Sequence, residues 1–254
     1  MRIEFELDDD GKPVGRRTAF TGPAPRPTGE TLHGTRVRLE RFSVAAHGHD
    51  LYEAFAVEPD GGLWTYMFQG PFANEADFIE WATSVEGLAD PFFYAIVDNV
   101  TGKAIGIGSY LRIDPNNRSI EVGWLTFSRA LQRTPGATEA MTLMAAHAFD
   151  LGYHRYEWKC NALNAPSIAA AERLGFSFEG VFRDAVVTKG RHRDTAWFAF
   201  TADDWPAIHT AHTAWLDASN FDESGQQRTT LRDATRPLLH AHWPTLTVSV
   251  EPLS

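Results

Sequence analysis

Three strand-like runs joined by very short polar turns are followed by one crossing long enough to hold a helix, and that change limits what the chain can fold into. Phe92–Val97 turns through Asp98, Asn99 and Gly102, Ala104–Ile113 turns through Asp114-Pro115-Asn116-Asn117, and Ser119–Phe127 ends the series. Turns this short join antiparallel neighbours. Then Pro135 to Asp150 carries Met141, Met144, Ala145 and Ala148 at helical spacing. A helix gives the chain room to cross the sheet, so the strand at Arg155–Cys160 is expected to lie parallel to its predecessor.

Around this centre the remaining elements read as one mixed α/β domain. Between residues 11 and 30, Gly11, Pro13, Gly15, Gly22, Pro23, Pro25, Pro27 and Gly29 predict an extended arm, residues 1–31, and not a packed element. Val37 and Leu39 alternate in a strand, Ser43 suits the cap of a helix bearing Leu51, Ala54 and Phe55, and a second helix starts at Asn74 with Phe78, Trp81 and Val85 along one stripe. Ser167–Leu174 is a helix stopped by Gly175. Phe176–Phe182 and Thr195–Phe200 close a sheet of about seven strands, and a last helix runs from Asp203 through Ala214. The domain is expected over 32–217. An extension, 218–254, carries Leu246, Val248 and Val250 in the alternation of an edge strand.

The formal net charge of −10 opposes a nucleic-acid binder, which needs a basic stripe; it permits a cationic or amine-bearing substrate, although the bland reading is solubility alone. Hydrophobic residues at 43% are enough for a real core, yet no run approaches the roughly 20 apolar residues that span a bilayer. The single cysteine, Cys160, rules out an internal disulfide framework and fits a reducing compartment. The start of the chain has no apolar stretch of a signal peptide, so a cytoplasmic protein without membrane contact is expected.

Thr134 suits an N-cap and Pro135 the first helical position, where its missing N–H costs no internal bond. The bland reading is a well-capped helix. The functional one is an anion site, because Arg129 and Arg133 add positive charge beside the small residues Gly136 and Ala137 at a helix N-terminus. The pairs His47/His49, His209/His212 and His240/His242 have metal-like spacing but no accompanying Cys or carboxylate cluster, so they read as surface histidines and no metal is expected. Cys160 reads as a small buried hydrophobe.

Gln132-x-x-x-Gly136-Ala137-Thr138-Glu139-Ala140, then Asn164-x-x-Ser167 and Glu172-Arg173-Leu174-Gly175-Phe176, resembles the GNAT N-acetyltransferase superfamily, in particular the branch of ribosomal-protein N-terminal acetyltransferases. Gly180-Val181-Phe182-Arg183-Asp184 and Lys189-Gly190-x-x-Arg193-Asp194-Thr195 are similar to that branch's final hairpin. The resemblance spans roughly residues 32 to 217. It implies a GNAT-like fold, acetyl-CoA as co-substrate in a wedge between two splayed parallel strands, and an amine acceptor. It also implies a pyrophosphate held by Gln132, Arg133, Thr134, Gly136, Ala137 and Thr138, a pantetheine arm bonded by Asn164, and Ser167 as a helix-capping residue near the thiol end. Main-chain N–H groups near Thr126 and Phe127 would polarise the thioester carbonyl at a bulge. The chain departs from the family pattern at Pro135: aligned on Ala137–Ala140 it replaces a glycine, and aligned on Arg133 and Gly136 it makes Thr138 the final small residue. Either register loses one N–H donor.

Acyl transfer from a thioester to an amine needs a proton acceptor, a polarised carbonyl and a donor for the departing thiolate. The catalytic candidates are Glu121, Glu157 and Ser167. A carboxylate partly desolvated by Trp124 or Trp158 would have a raised pKa, and Glu121 is preferred over Glu157, since Arg155, Glu157 and Lys159 alternate as on a wet face. Trp64, Tyr66 and Phe68 are candidates to line an acceptor pocket. The expected function is acetyl transfer to a primary amine, a peptide N-terminus or a small molecule, by direct attack in a ternary complex. The alternatives are a silent acyl-CoA sensor and a scaffold whose extension swaps onto a neighbour; a monomer or homodimer is expected.

Overall fold

In the computed structural model, which describes residues 5–57 and 61–243, the meander forms the middle of an eight-stranded sheet. In chain order the elements are β1 (Glu6–Leu7), β2 (Pro13–Val14), β3 (Leu32–His33), β4 (Val37–Arg41), α1 (Val44–Ala56), α2 (Glu75–Val85), β5 (Phe92–Asp98), β6 (Ala104–Asp114) and β7 (Ser119–Phe127). They continue with α3 (Pro135–Asp150), β8 (Arg155–Asn161), α4 (Ala165–Arg173), β9 (Ser177–Thr188), β10 (Arg191–Thr201), α5 (Trp205–Leu216) and α6 (Leu231–Thr235). The order across the sheet is β3-β4-β5-β6-β7-β8-β10-β9, and β7–β8 is its parallel pair. The eighth strand beyond the expected seven is the two-residue β3, too short to leave a periodic signal.

Helices cover both faces because the central strands are apolar on both. Along β5, Phe92, Tyr94 and Ile96 pack into one core with α3, α4 and α5, while Phe93, Ala95 and Val97 pack into another with α1 and α2. Alternation puts successive side chains on opposite faces, so a strand buried throughout feeds two cores. The Tyr110 hydroxyl on β6 donates to the Met144 carbonyl at 2.6 Å, tying sheet to α3.

The ends of the chain are attached to this domain. The arm begins with the β1–β2 hairpin, then lies along the β6–β7 turn: Ala24 is buried, its N–H donates to Pro115 at 3.0 Å, and the Arg118 guanidinium sits 4.3 Å from the Phe20 ring. Ala24 thus anchors the arm on the domain. At the other end, Leu231 on α6 is buried, the Phe178 N–H on β9 donates to Ala241, and Trp243 packs on Phe178 and Phe198. Residues 218–243 thus pack on their own domain; the expected strand through Leu246, Val248 and Val250 lies outside the described residues.

Two of the histidines expected at the surface are buried. His47 bonds Glu40 at 3.0 Å, and His212 is wedged between Thr142 on α3 and the Leu174 carbonyl after α4. A carbonyl can only accept, so His212 Nε2 carries the hydrogen and Nδ1 stays an acceptor toward Thr142. Burial is the main reason the His212 pKa falls to about 4; the Leu174 bond opposes the shift and Arg173 and His209 add to it. Neutral His212 therefore supports the fold fully above its unfolded pKa near 6.5, and this contribution is lost as pH falls from there to about 4. Urea unfolding at pH 7, 5.5 and 4 should show a loss of stability over that window that is smaller in His212→Gln; parallel losses in the two proteins would refute the assignment.

Candidate active site

The parallel register pairs Ser119 with Arg155 through Val122 with Trp158, and there it stops, although β7 continues to Phe127 and β8 to Asn161. The cause is a bulge in β7. Ile107 pairs with Thr126 and Ser109 with Gly123, so Trp124 and Leu125 together face Gly108. Trp124 takes a left-handed φ of 52°, and Leu125 fills the space a Cβ on Gly108 would need, 3.0 Å away. The bulge lies two residues before the expected position near Thr126 and Phe127. Past it the strands part and leave a wedge.

At one side of the wedge is the loop into α3. Thr134 is the N-cap: its Oγ1 accepts the Ala137 N–H at 3.3 Å and donates to the Leu131 carbonyl at 2.7 Å. The Thr134 N–H is bonded to Leu131 and Pro135 has none, which leaves Gly136 as the first-turn donor without a bond among the described residues. Arg133 is exposed at the loop's apex with φ 61°. Gln132 folds back, its Nε2 donating to the Phe127 carbonyl at 2.7 Å, and so tightens the loop.

Two loop residues face inward. Gly136 is buried, and a Cβ there would lie 3.1 Å from Val37, so its smallness serves close packing of α3 on β4. Thr138 is also buried, and its hydroxyl accepts from Arg173 on α4 at 3.0 Å instead of facing the loop. Glu139 beside it accepts from the N–H groups of Thr35, Arg36 and Val37, fixing the start of β4.

At the other side of the wedge, Asn164 caps α4, its Oδ1 accepting the Ser167 N–H at 3.2 Å; its Nδ2 has no bond among the described residues. Ser167 Oγ accepts from Trp158 Nε1 at 3.0 Å. Cys160 is buried, and burial pushes its thiol up while Ser167 and Arg193 pull the other way.

The candidate carboxylates lie where the strands are still paired, and they are not wet. Glu121 and Glu157 are direct register partners. Lys159, almost fully enclosed, places Nζ 3.0 Å from Glu121 and 2.7 Å from Glu157, with the Trp197 ring centre 3.6 Å away. Arg112 of β6 adds Nε to Glu121 Oε2 at 2.6 Å and Nη2 to Oε1 at 3.2 Å, and Arg155 holds Glu157 at 2.7 Å. Burial alone would raise Glu157, but the bonds from Lys159 and Arg155 outweigh it and hold its carboxyl below the ordinary value. The raised pKa expected from desolvation is thus overturned for Glu157. Sequence reasoning placed Lys159 on an exposed face and had no signal for Arg112, whose role depends on a strand pairing.

The aromatic segment between α1 and α2 spans the wedge. Phe68 packs on Trp124 at 5.7 Å, the Tyr66 hydroxyl donates to Leu163 at 3.0 Å, and Lys189 of the β9–β10 hairpin donates to Trp64 at 2.7 Å. Among the described residues, no group of three or more His, Cys, Asp and Glu is arranged to hold a metal, and no helix is long and apolar enough to cross a membrane.

Removing Lys159 would leave two buried carboxylates in register without their shared cation. Lys159→Met should cost about 3–5 kcal/mol in urea unfolding, and adding Glu157→Gln should recover part of it. A change under about 1 kcal/mol would refute the coupling.

The acetyltransferase (GNAT) domain family matches residues 36–177. A GCN5-related N-acetyltransferase from Brucella melitensis is 43% identical and superimposes with a TM-score of 0.83, over 85% of this chain and 98% of that one. The uncharacterized N-acetyltransferase p20 of Bacillus licheniformis is 29% identical over 67% of this chain and 95% of its own length. An acetyl transferase from Salmonella typhimurium, which modifies the N-terminal serine of ribosomal protein L7/L12, shares the fold at 20% identity, with a TM-score of 0.58 over 68% of this chain and all of that one. With the family match covering more than half its length and a mixed sheet opened at one parallel pair, the chain belongs to the GNAT acetyltransferase family and is an N-acetyltransferase.

Proposed function

We propose that the wedge between β7 and β8 takes acetyl-CoA and that the enzyme transfers its acetyl group to a primary amine by direct attack within a ternary complex. Acetyl-CoA supplies an acetyl group already activated as a thioester. The observation that carries the reading is the end of the β7–β8 pairing at Val122 and Trp158, between a capped helix N-terminus and the cap of α4. The Gly136 N–H, the dipole of α3 and the exposed Arg133 suit a pyrophosphate. The open Nδ2 of Asn164 suits a carbonyl of the pantetheine arm.

Main-chain amides of β7 between Gly123 and Phe127 lack a β8 partner, and those on the wedge side are the proposed donors to the thioester carbonyl. Glu121 is the proposed proton acceptor, directly or through water. Its Oε2 is shared by Arg112 and Lys159, but Oε1 receives only the 3.2 Å bond from Arg112, which leaves a lone pair. Gly123 keeps space beside that atom: a Cβ there would lie 3.5 Å from it. Glu157, held by Lys159 and Arg155, is the proposed positioning residue for Lys159. Ser167 accepts from Trp158 and keeps its own hydrogen to donate to the departing sulfur.

Acetyl-CoA should raise the melting temperature where acetate and ATP do not, and added amine should release free thiol. Asn164→Ala should weaken acetyl-CoA binding roughly tenfold, the loss of one hydrogen bond. Glu121→Gln should slow turnover about 100-fold or more while leaving that affinity unchanged. Full turnover in Glu121→Gln across the pH range would remove Glu121 as the base, and no thermal shift with acetyl-CoA would remove the wedge as its site.

A further inference from the structure

On β10, Arg193 has a guanidinium that nothing in the described chain neutralises. The residue is 8% exposed, its Nε is enclosed without a hydrogen-bond partner, and no carboxylate lies within ion-pair distance among the described residues. Its contact is the Phe68 ring of the segment over the wedge, 5.3 Å from the guanidinium carbon. Glu121 is near enough to act on its charge, but Glu121 is already held by Arg112 and Lys159. A buried cation without an anion is costly, and the cost is offset when a ligand brings the missing charge.

Two neutral groups on the same two segments are in the same condition. Thr195 follows Arg193 on the same face of β10, and its hydroxyl is buried and unbonded. Gln69 follows Phe68, and both polar atoms of its side-chain amide are buried and unbonded. A guanidinium fork with a hydroxyl and an amide N–H is a donor set for a planar monoanion. One cation matches the single charge of a carboxylate better than the double charge of a phosphate. The segment above is pinned at both sides, by Tyr66 to Leu163 and by Lys189 to Trp64, which favours a compact ligand over an extended chain.

We infer that Arg193, with Thr195 and Gln69, binds a carboxylate on the acceptor, so that the acceptor is a small amine that also carries a carboxylate. This rests on the amine-transfer reading above and narrows its acceptor. Arg193 acts here as a specificity residue: it holds the end of the acceptor remote from the amine.

The test measures thiol release by the full chain with acetyl-CoA and matched acceptors: glycine, β-alanine and γ-aminobutyrate, their carboxamides, the corresponding alkylamines, an aminoalkyl phosphate and short peptides. The best amino acid should exceed its carboxamide in kcat/KM by roughly 100-fold or more, because the carboxamide leaves buried donors facing the wrong group. Arg193→Gln should erase that preference through the acceptor's KM, with the KM for acetyl-CoA unmoved, and Arg193→Lys should restore part of it. Equal rates for acids and carboxamides, a preference for peptides or the phosphate, or a preference that survives Arg193→Gln would each overturn the inference while leaving amine transfer intact. Should no amine release thiol, the amine-transfer reading fails by itself. Thermal shift of the acetyl-CoA-saturated protein by the same acids and carboxamides then decides the carboxylate site: an acid-specific shift lost in Arg193→Gln supports it, and its absence overturns it.

Discussion

Parallel pairing of β7 with β8 sets two glutamates side by side inside the protein, and one lysine lies between them. Glu121 and Glu157 are register partners, and Lys159 reaches both within 3.0 Å while its ammonium rests on the Trp197 ring. Buried like charges repel strongly, and the shared cation offsets that repulsion. Arg112 and Arg155 close the network from β6 and from β8 itself. The same set of charges fixes the Glu121 carboxylate at the narrow end of the wedge, which links the stability of the sheet to the geometry of its proposed chemistry.

The wedge has a separate origin. It opens because β7 carries an extra residue opposite Gly108, which turns Trp124 toward Phe68, Trp81 and Phe93 and sends Leu125 to the α3 side. Bulges bend a strand and end its ladder. Here the pairing with β8 ends at Val122, five residues before β7 itself ends at Phe127. Polar groups are left over at the starts of the two helices that follow the parted strands: the Gly136 N–H on α3 and the Asn164 Nδ2 beside α4.

Small residues around this space serve packing as much as access. Gly136 admits Val37, and Gly106 admits Leu131, whose would-be neighbour Cβ would come within 2.5 Å of it. Leu131 is buried beneath the loop and its carbonyl receives both the N–H and the hydroxyl of Thr134. The loop is thus anchored from below, and its upper side carries Arg133. A firmly seated cap presents its donors in fixed positions, the condition for binding an anion without reordering the chain.

Much of the fold was legible because the signals were local. The cap at Thr134, the turns at Asp98–Gly102 and Asp114–Asn117, and the stop at Gly175 each act through atoms a few residues apart, whereas the helix expected from Ser167 starts at Ala165 and is capped by Asn164, not by Ser167. Periodicity gave the helices their buried faces, and the long crossing gave the parallel pair. The wet face expected for Arg155, Glu157 and Lys159 became a buried network because β7 and β10 flank β8 with Glu121 and Trp197, neighbours that spacing along one strand does not reveal. The hydroxyl of Thr138 went to Arg173 for the same reason: two helices separated in sequence meet at their ends. The unneutralised Arg193 is also a fact of assembly, since only the packing of Phe68 and β10 decides which cations keep an anion and which do not. Sequence by itself determined which elements form and in what order, through forces that span one turn. Tertiary structure decided which charges meet, because lateral contacts across a sheet depend on register and on a bulge that no local pattern encodes.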